Sequence, residues 1–136
     1  MKNENSKYRI MVIDDSITIR RAAQLFLTEE GHEVILAQDG LDALSKMGMN
    51  PPDLIFCDIL MPKLDGYETC ALIKKNPTFK QVPFIMLSSQ SSIFDKAKGF
   101  LVGSSDHISK PFDKQMLINA VEKFCSQPHN KIEVTA

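Results

Sequence analysis

The chain has 136 residues, a formal net charge of −1, a sequence pI near 6.3 and 24% charged residues. That length predicts one domain with a real core and no second folded module, and the balanced charge argues against nucleic acid or anionic lipid as a partner. No apolar run approaches membrane-spanning length and no h-region follows the polar stretch Met1 to Lys7, so an unexported, cytoplasmic protein without membrane insertion is expected. The cysteines Cys57, Cys70 and Cys125 are odd in number, far apart and set in apolar or periodic segments, which points to reduced core thiols.

Tyr8 to Ile13 is the first strand candidate, an apolar run that ends in Asp14 and Asp15. From Ser16, a plausible N-cap, apolar residues recur at Ile19, Ala23, Phe26 and Leu27 until Gly31 stops the helix. Glu33 to Ala37 predicts a second strand, and Asp39-Gly40 opens a helix that must end before Pro51-Pro52. Leu54 to Cys57 is an unbroken apolar run, the pattern of a strand buried on both faces, and Asp58 follows it directly. Met61-Pro62 makes a turn, Asp65 to Glu68 reads as a capping box for a helix reaching Lys75, and Pro77 closes it. Val82 to Leu87 is a fourth strand ending in Ser88 and Ser89, with Pro83 tolerable near its start.

Ser92 and Asp95 could cap the next helix, whose apolar stripe is Ile93, Ala97, Phe100 and Leu101, with Gly99 a weak point inside it. Asp106 to Ser109 is a short fifth strand ending at Lys110-Pro111, and Asp113 caps a last helix with Leu117, Ala120, Val121 and Phe124 on one face. Five alternations of strand and helix predict an α/β domain over 8–125, a doubly wound five-stranded parallel sheet with helices on both faces. Residues 1–7 and 126–136 are expected to be polar tails.

Four of the five strands end in reactive groups: Asp14 with Asp15, Asp58, Ser88, and Lys110. In open α/β sheets ligands bind outside the carboxyl ends of the strands. Each residue alone is most simply a cap, a turn former or a surface lysine; together they point to a site. Two carboxylates about 5 Å apart repel by roughly 3 kcal/mol at an effective dielectric near 20, so a cation must offset them. An open set of hard oxygen donors suits Mg²⁺, with Asp15 and Asp58 as ligands and Asp14 acting through water. Lys110 and Ser88 would then hold phosphoryl oxygens while Asp58 attacks phosphorus, which predicts phosphoryl transfer to a carboxylate.

From Tyr8 to Cys125 these residues resemble the receiver domain of two-component response regulators, a flavodoxin-like fold. The family's acidic pair matches Asp14-Asp15, its phospho-acceptor Asp58, its switch hydroxyl Ser88 and its lysine-proline pair Lys110-Pro111. M-V-I-D-D-S-I-T-I-R-R, D-G-Y-E-T-C-A-L-I-K and V-G-S-S-D are similar to single-domain regulators of type IV pilus twitching motility. The resemblance implies a histidine kinase as phosphodonor, a metal ligand at the Leu60 backbone carbonyl, a cis peptide bond before Pro111 that would aim Lys110 inward, and lifetime tuning at Leu60 and Gln90. The position of the family's rotating aromatic, usually Tyr or Phe, is held here by His107, a departure from the family's pattern. Output is expected through protein contact over Ile93 to Phe124, with Lys96, Lys98 and His107 exposed.

A non-enzymatic, phosphorylation-controlled binding module is therefore expected. The alternative is a Mg²⁺-dependent phosphohydrolase with an aspartyl intermediate, but the haloacid-dehalogenase kind carries D-x-D on its first strand where this chain has D-D-S.

Overall fold

The computed structural model describes residues 8–89 and 93–125. β1 (Arg9–Ile13), α1 (Ile17–Thr28), β2 (Glu33–Ala37), α2 (Gly40–Met47) and β3 (Leu54–Asp58) are followed by α3 (Gly66–Lys75), β4 (Phe84–Ser88), α4 (Ile93–Val102), β5 (Asp106–Ser109) and α5 (Lys114–Cys125). All strands are parallel, in the order β2-β1-β3-β4-β5. The doubly wound fold is as the alternation of elements predicts.

Why the central strands lack alternation is visible in the two cores. Ile10, Val12, Leu54, Phe56, Ile85 and Leu87 face α1 and α5 through Ala23, Leu27, Leu117 and Val121. Met11, Ile13, Ile55, Cys57, Phe84 and Met86 face α2 and α3 through Ala43, Met47, Cys70 and Ile73. Both sides of β1, β3 and β4 are thus covered, and their inner positions call for apolar residues on both faces. The caps also follow the sequence. The side chains of Ser16, Asp39, Asp65 and Asp113 accept from the backbone N–H groups of Ile19, Asp42, Glu68 and Met116, and Asp65 with Glu68 closes a full capping box. Gly31, at φ +90°, supplies the left-handed stop after α1.

Three expectations need correction. β4 begins at Phe84 rather than Val82, because Pro83 has no N–H to donate; its carbonyl still accepts from the Ile55 N–H at 3.0 Å. Cys57 and Cys70 are buried thiols, but Cys125 is only half-buried. The largest difference is in α4: Ile93, Phe94, Ala97, Phe100 and Leu101 point outward, with Ile93 87% and Phe100 77% exposed. Gly99 is the buried residue of this helix, and a β-carbon there would lie 3.7 Å from Met86 Cγ, so the helix lays its narrowest side on the sheet. Ser92, the expected cap of α4, lies outside the described residues.

At the opposite end of the sheet from the carboxyl edge, the Tyr8 backbone N–H donates to His32 Nδ1 at 3.2 Å and the two rings stack. Burial lowers the His32 pKa, against a smaller upward push from Glu30. The unfolded chain therefore binds the proton first, and stability is lost as pH falls below about 6.5, the ordinary histidine value. In urea titrations from pH 7 to pH 5, His32→Phe, which keeps a ring but cannot be protonated, should show a shallower fall in unfolding free energy than the wild type. Equal slopes would remove His32 from this role.

A candidate acidic site at the carboxyl edge of the sheet

β1 and β3 are neighbours at the point where the strand order reverses, so the residues at their carboxyl ends meet in the crevice of the sheet. Asp14 directly follows β1, and its N–H still donates to the Ala37 carbonyl at 3.1 Å, so its backbone continues the sheet. Its side chain is fully buried. Oδ1 accepts from the Ser16 N–H at 2.9 Å and Oδ2 from Lys110 Nζ at 2.9 Å, while Arg20 Nη1 donates to its main-chain oxygen at 2.7 Å. Asp15 is exposed. Asp58 is the last residue of β3 itself, paired with Leu87 and nearly buried.

Lys110 arrives from beyond β5. Its N–H donates to the Ser88 carbonyl at 2.7 Å, extending the β4–β5 pairing past Ser109, and its Nζ donates to Asp58 Oδ1 at 3.1 Å as well as to Asp14. The Lys110–Pro111 peptide bond is cis, as the resemblance implies.

The charges in this cluster are unbalanced. Oxygens of Asp14, Asp15 and Asp58 lie within 4.8 Å of one another, and the carboxylates outnumber the ammonium. Burial, and after it the negative charge of Asp14 with a lesser push from Asp15, raises the Asp58 pKa despite Lys110. Burial alone would lower the Lys110 ammonium, but hydrogen bonds and charge from Asp14 and Asp58 outweigh it and raise its pKa. Lys110 is thus a fixed cation. The remaining negative charge and the all-oxygen donor set fit a hard divalent cation that keeps part of its water shell.

The structure brings together Asp14, Asp15, Asp58 and Lys110, as the strand ends predict. Ser88 is buried at the end of β4, one residue beyond the pairing partner of Asp58. Leu60 turns its side chain to solvent, and Gln90 lies outside the described residues. His107 differs from expectation: it is half-buried, not exposed, and sits on the edge strand β5, where it lines one groove with Lys96 and Phe100 and another with Met116 and Lys123.

Two contributors escape sequence reasoning. Arg20 looks like an ordinary polar position of α1. Gly66 looks like a turn glycine, yet its N–H donates to the Ile59 carbonyl at 2.8 Å, and a β-carbon there would lie 2.5 Å from the Asp58 carbonyl oxygen and 2.8 Å from Ile59 Cα. The available signal is a glycine in the first position of a helix, where helix formation does not call for one.

Comparison with known proteins agrees with this geometry. Residues 10–122 match the family described as the response regulator receiver domain. The protein PilG of Pseudomonas aeruginosa is 52% identical over 122 residues, covering 90% of each chain. A probable transcriptional regulator, ycf27, of Cyanophora paradoxa is 35% identical over 93% of this chain, which spans only 52% of that protein. Among solved structures, the Vibrio cholerae chemotaxis protein CheY4 superposes with a TM-score of 0.84 at 30% identity, over 87% of this chain and 98% of that one. A receiver domain of a Pseudomonas aeruginosa sensor histidine kinase, with a magnesium ion coordinated in its active-site cleft, superposes with a TM-score of 0.82 over 89% and 99% of the two chains; at 24% identity this is a likeness of fold.

Proposed function

This chain belongs to the family of response regulator receiver domains, and on that premise we propose that residues 8–125 form one cytoplasmic receiver unit that takes a phosphoryl group on Asp58 from a histidine kinase and controls a protein partner in motility or chemosensory signalling. The observation that carries this reading is Lys110, whose ammonium bridges the buried Asp14 and Asp58 Oδ1 at the point where the strand order reverses. No helix among the described residues is long and apolar enough to cross a membrane.

Lys110 holds Oδ1 and leaves Oδ2 of Asp58 to attack phosphorus in line. The new Oδ2–P bond forms as the P–N bond to the donor imidazole breaks, and that nitrogen departs with the bonding pair. Lys110 stays protonated throughout and neutralises charge on the transferring group. Asp14, Asp15, Asp58 and the Leu60 carbonyl would hold Mg²⁺, which supplies the second positive charge on the phosphoryl oxygens when bound. Ser88 is the hydroxyl assigned to follow the phosphoryl group, with His107 as the second switch position.

Leu60 offers no side-chain hydrogen bond to an attacking water, which favours slow hydrolysis of the acyl phosphate; Gln90 is the second tuning position by resemblance. Leu60→Asn should raise the self-dephosphorylation rate several-fold in a phosphate-release assay, and an unchanged rate would refute the assignment.

Output is assigned to the outward face of α4. Ile93, Phe94, Phe100 and Leu101 form a solvent-facing apolar stripe with Lys96 and Lys98 at its two borders, which suits an apolar partner surface flanked by acidic residues. The alternative, a phosphohydrolase, is separated by stoichiometry. With Mg²⁺ and a small phosphodonor the chain should take up at most one phosphoryl group, followed by slow loss. Fast, continuing release of phosphate from a phosphate ester would favour the enzyme.

A further inference from the structure

The site and α4 are joined by α3. Gly66, the first residue of α3, rests on the backbone of Asp58 and Ile59 so closely that no side chain fits between them. Asp65 and Glu68 lock that first turn in a capping box. Three α3 residues spaced along one side, Tyr67, Cys70 and Lys74, then meet α4 and its exit. The Tyr67 hydroxyl donates to the Asp95 carbonyl at 3.4 Å, in the first turn of α4, and Lys98 Nζ lies 4.5 Å from the centre of the same ring. Cys70 Sγ donates weakly to the Val102 carbonyl at 3.5 Å, and the Lys74 stem packs where a β-carbon on Gly103 would be, 3.0 Å from Cγ.

Apart from α3, α4 is held by Val102, which packs against the core, and by Gly99 over Met86. Gly99 is its buried residue, and its large apolar side chains face solvent. An element with so little buried apolar surface has low local stability and is readily displaced. The polar contacts that α3 makes therefore bear on the position of α4, since most of its apolar side chains make no contact with the core. Tyr67 is the member of that set next in the chain to Gly66. The phenol is protonated at neutral pH, and burial with the charges of Asp95 and Asp65 raises its pKa further.

We infer that Tyr67 is a positioning residue that transmits the state of Asp58 to α4: a shift of the Asp58–Ile59 backbone moves the first turn of α3 through Gly66, and the Tyr67 hydroxyl carries that movement to Asp95. The inference rests on the proposed phosphorylation-controlled function and names the contact through which the output surface is reached. It places the coupling on the α3 side of α4, away from His107.

The test uses the full chain with Mg²⁺ and beryllofluoride, a phosphoryl analogue, followed by backbone amide NMR. In the wild type, amides near Asp58 and Lys110 and those of 93–102 should shift together. Tyr67→Phe keeps the ring and the Lys98 contact and loses only the hydroxyl. It should still bind beryllofluoride, with unchanged shifts at Asp58 and Lys110, while the shift changes over 93–102 fall by half or more. Wild-type shift changes over 93–102 in Tyr67→Phe would overturn the inference and leave the regulatory function standing. If beryllofluoride binds the wild type without moving 93–102, both are overturned. A purely structural role would alter the resting shifts of α4 and leave the analogue-induced change intact, which also counts against the inference.

Discussion

Asp58→Asn should take up no phosphoryl group from a small donor in the presence of Mg²⁺, where the wild type is labelled, because the amide has no anionic oxygen to attack with. The same variant should be more stable than the wild type in metal-free buffer at neutral pH. Burial and the Asp14 charge hold the Asp58 pKa above its ordinary value, so the folded chain keeps the proton to a higher pH than the unfolded chain. Stability then falls as pH rises from the ordinary carboxylate range through the folded pKa of Asp58. Mg²⁺ reverses the comparison. A cation at a hundredfold excess over its Kd stabilises the folded state by about 2.7 kcal/mol, and that gain should be large in the wild type and much reduced in Asp58→Asn. Denaturant titrations with and without Mg²⁺ read both effects. Equal labelling of variant and wild type would displace Asp58 from its role.

Gly66→Ala carries the second large effect. The added carbon would lie 2.5 Å from one backbone atom and 2.8 Å from another, and neither can rotate away as a side-chain tip can. Either α3 lifts from β3 or the Asp58–Ile59 backbone moves, at a cost of about 1–3 kcal/mol or more in unfolding free energy. Labelling at Asp58 should slow as well, since Lys110 Nζ and Asp58 Oδ1 are held at 3.1 Å by that backbone. Gly99→Ala is the control. There the new carbon would sit 3.6 Å from Ser104 Cβ and 3.7 Å from Met86 Cγ, ordinary contact distances, so the exchange should be neutral or gain up to about 1 kcal/mol from helix propensity. Similar destabilisation of both variants would show that the close seat of Gly66 is not what matters.

Much of this architecture is legible in the residues because local rules and the global fold agree. The runs at Ile10 to Ile13 and Leu54 to Cys57 need apolar side chains on both faces, and Ser16, Asp39, Asp65 and Asp113 each end a loop with a cap. The site is legible for a similar reason. Parallel strands end on one edge, so an acid or amine at each terminus is brought to the same rim by topology alone. What escapes is set by packing distance and helix rotation. Periodicity finds the stripe of α4 but not the side that faces the sheet, where Gly99 lies over Met86. Composition likewise gives no warning that Gly66 touches Asp58, because the contact joins residues from two elements whose spacing only the folded chain defines. His107 lies on an edge strand bordered by two grooves, and its half-burial depends on α4 and α5 rather than on β5 itself.

The most direct measurement maps the phosphoryl group itself. The chain is labelled by a small phosphodonor with Mg²⁺, the acyl phosphate is reduced with borohydride, and the modified residue is located by peptide mass spectrometry. Conversion of residue 58 to homoserine, dependent on Mg²⁺ and on the donor, is the predicted result. Modification at any other residue, or a stable phosphate that resists reduction, would contradict the account.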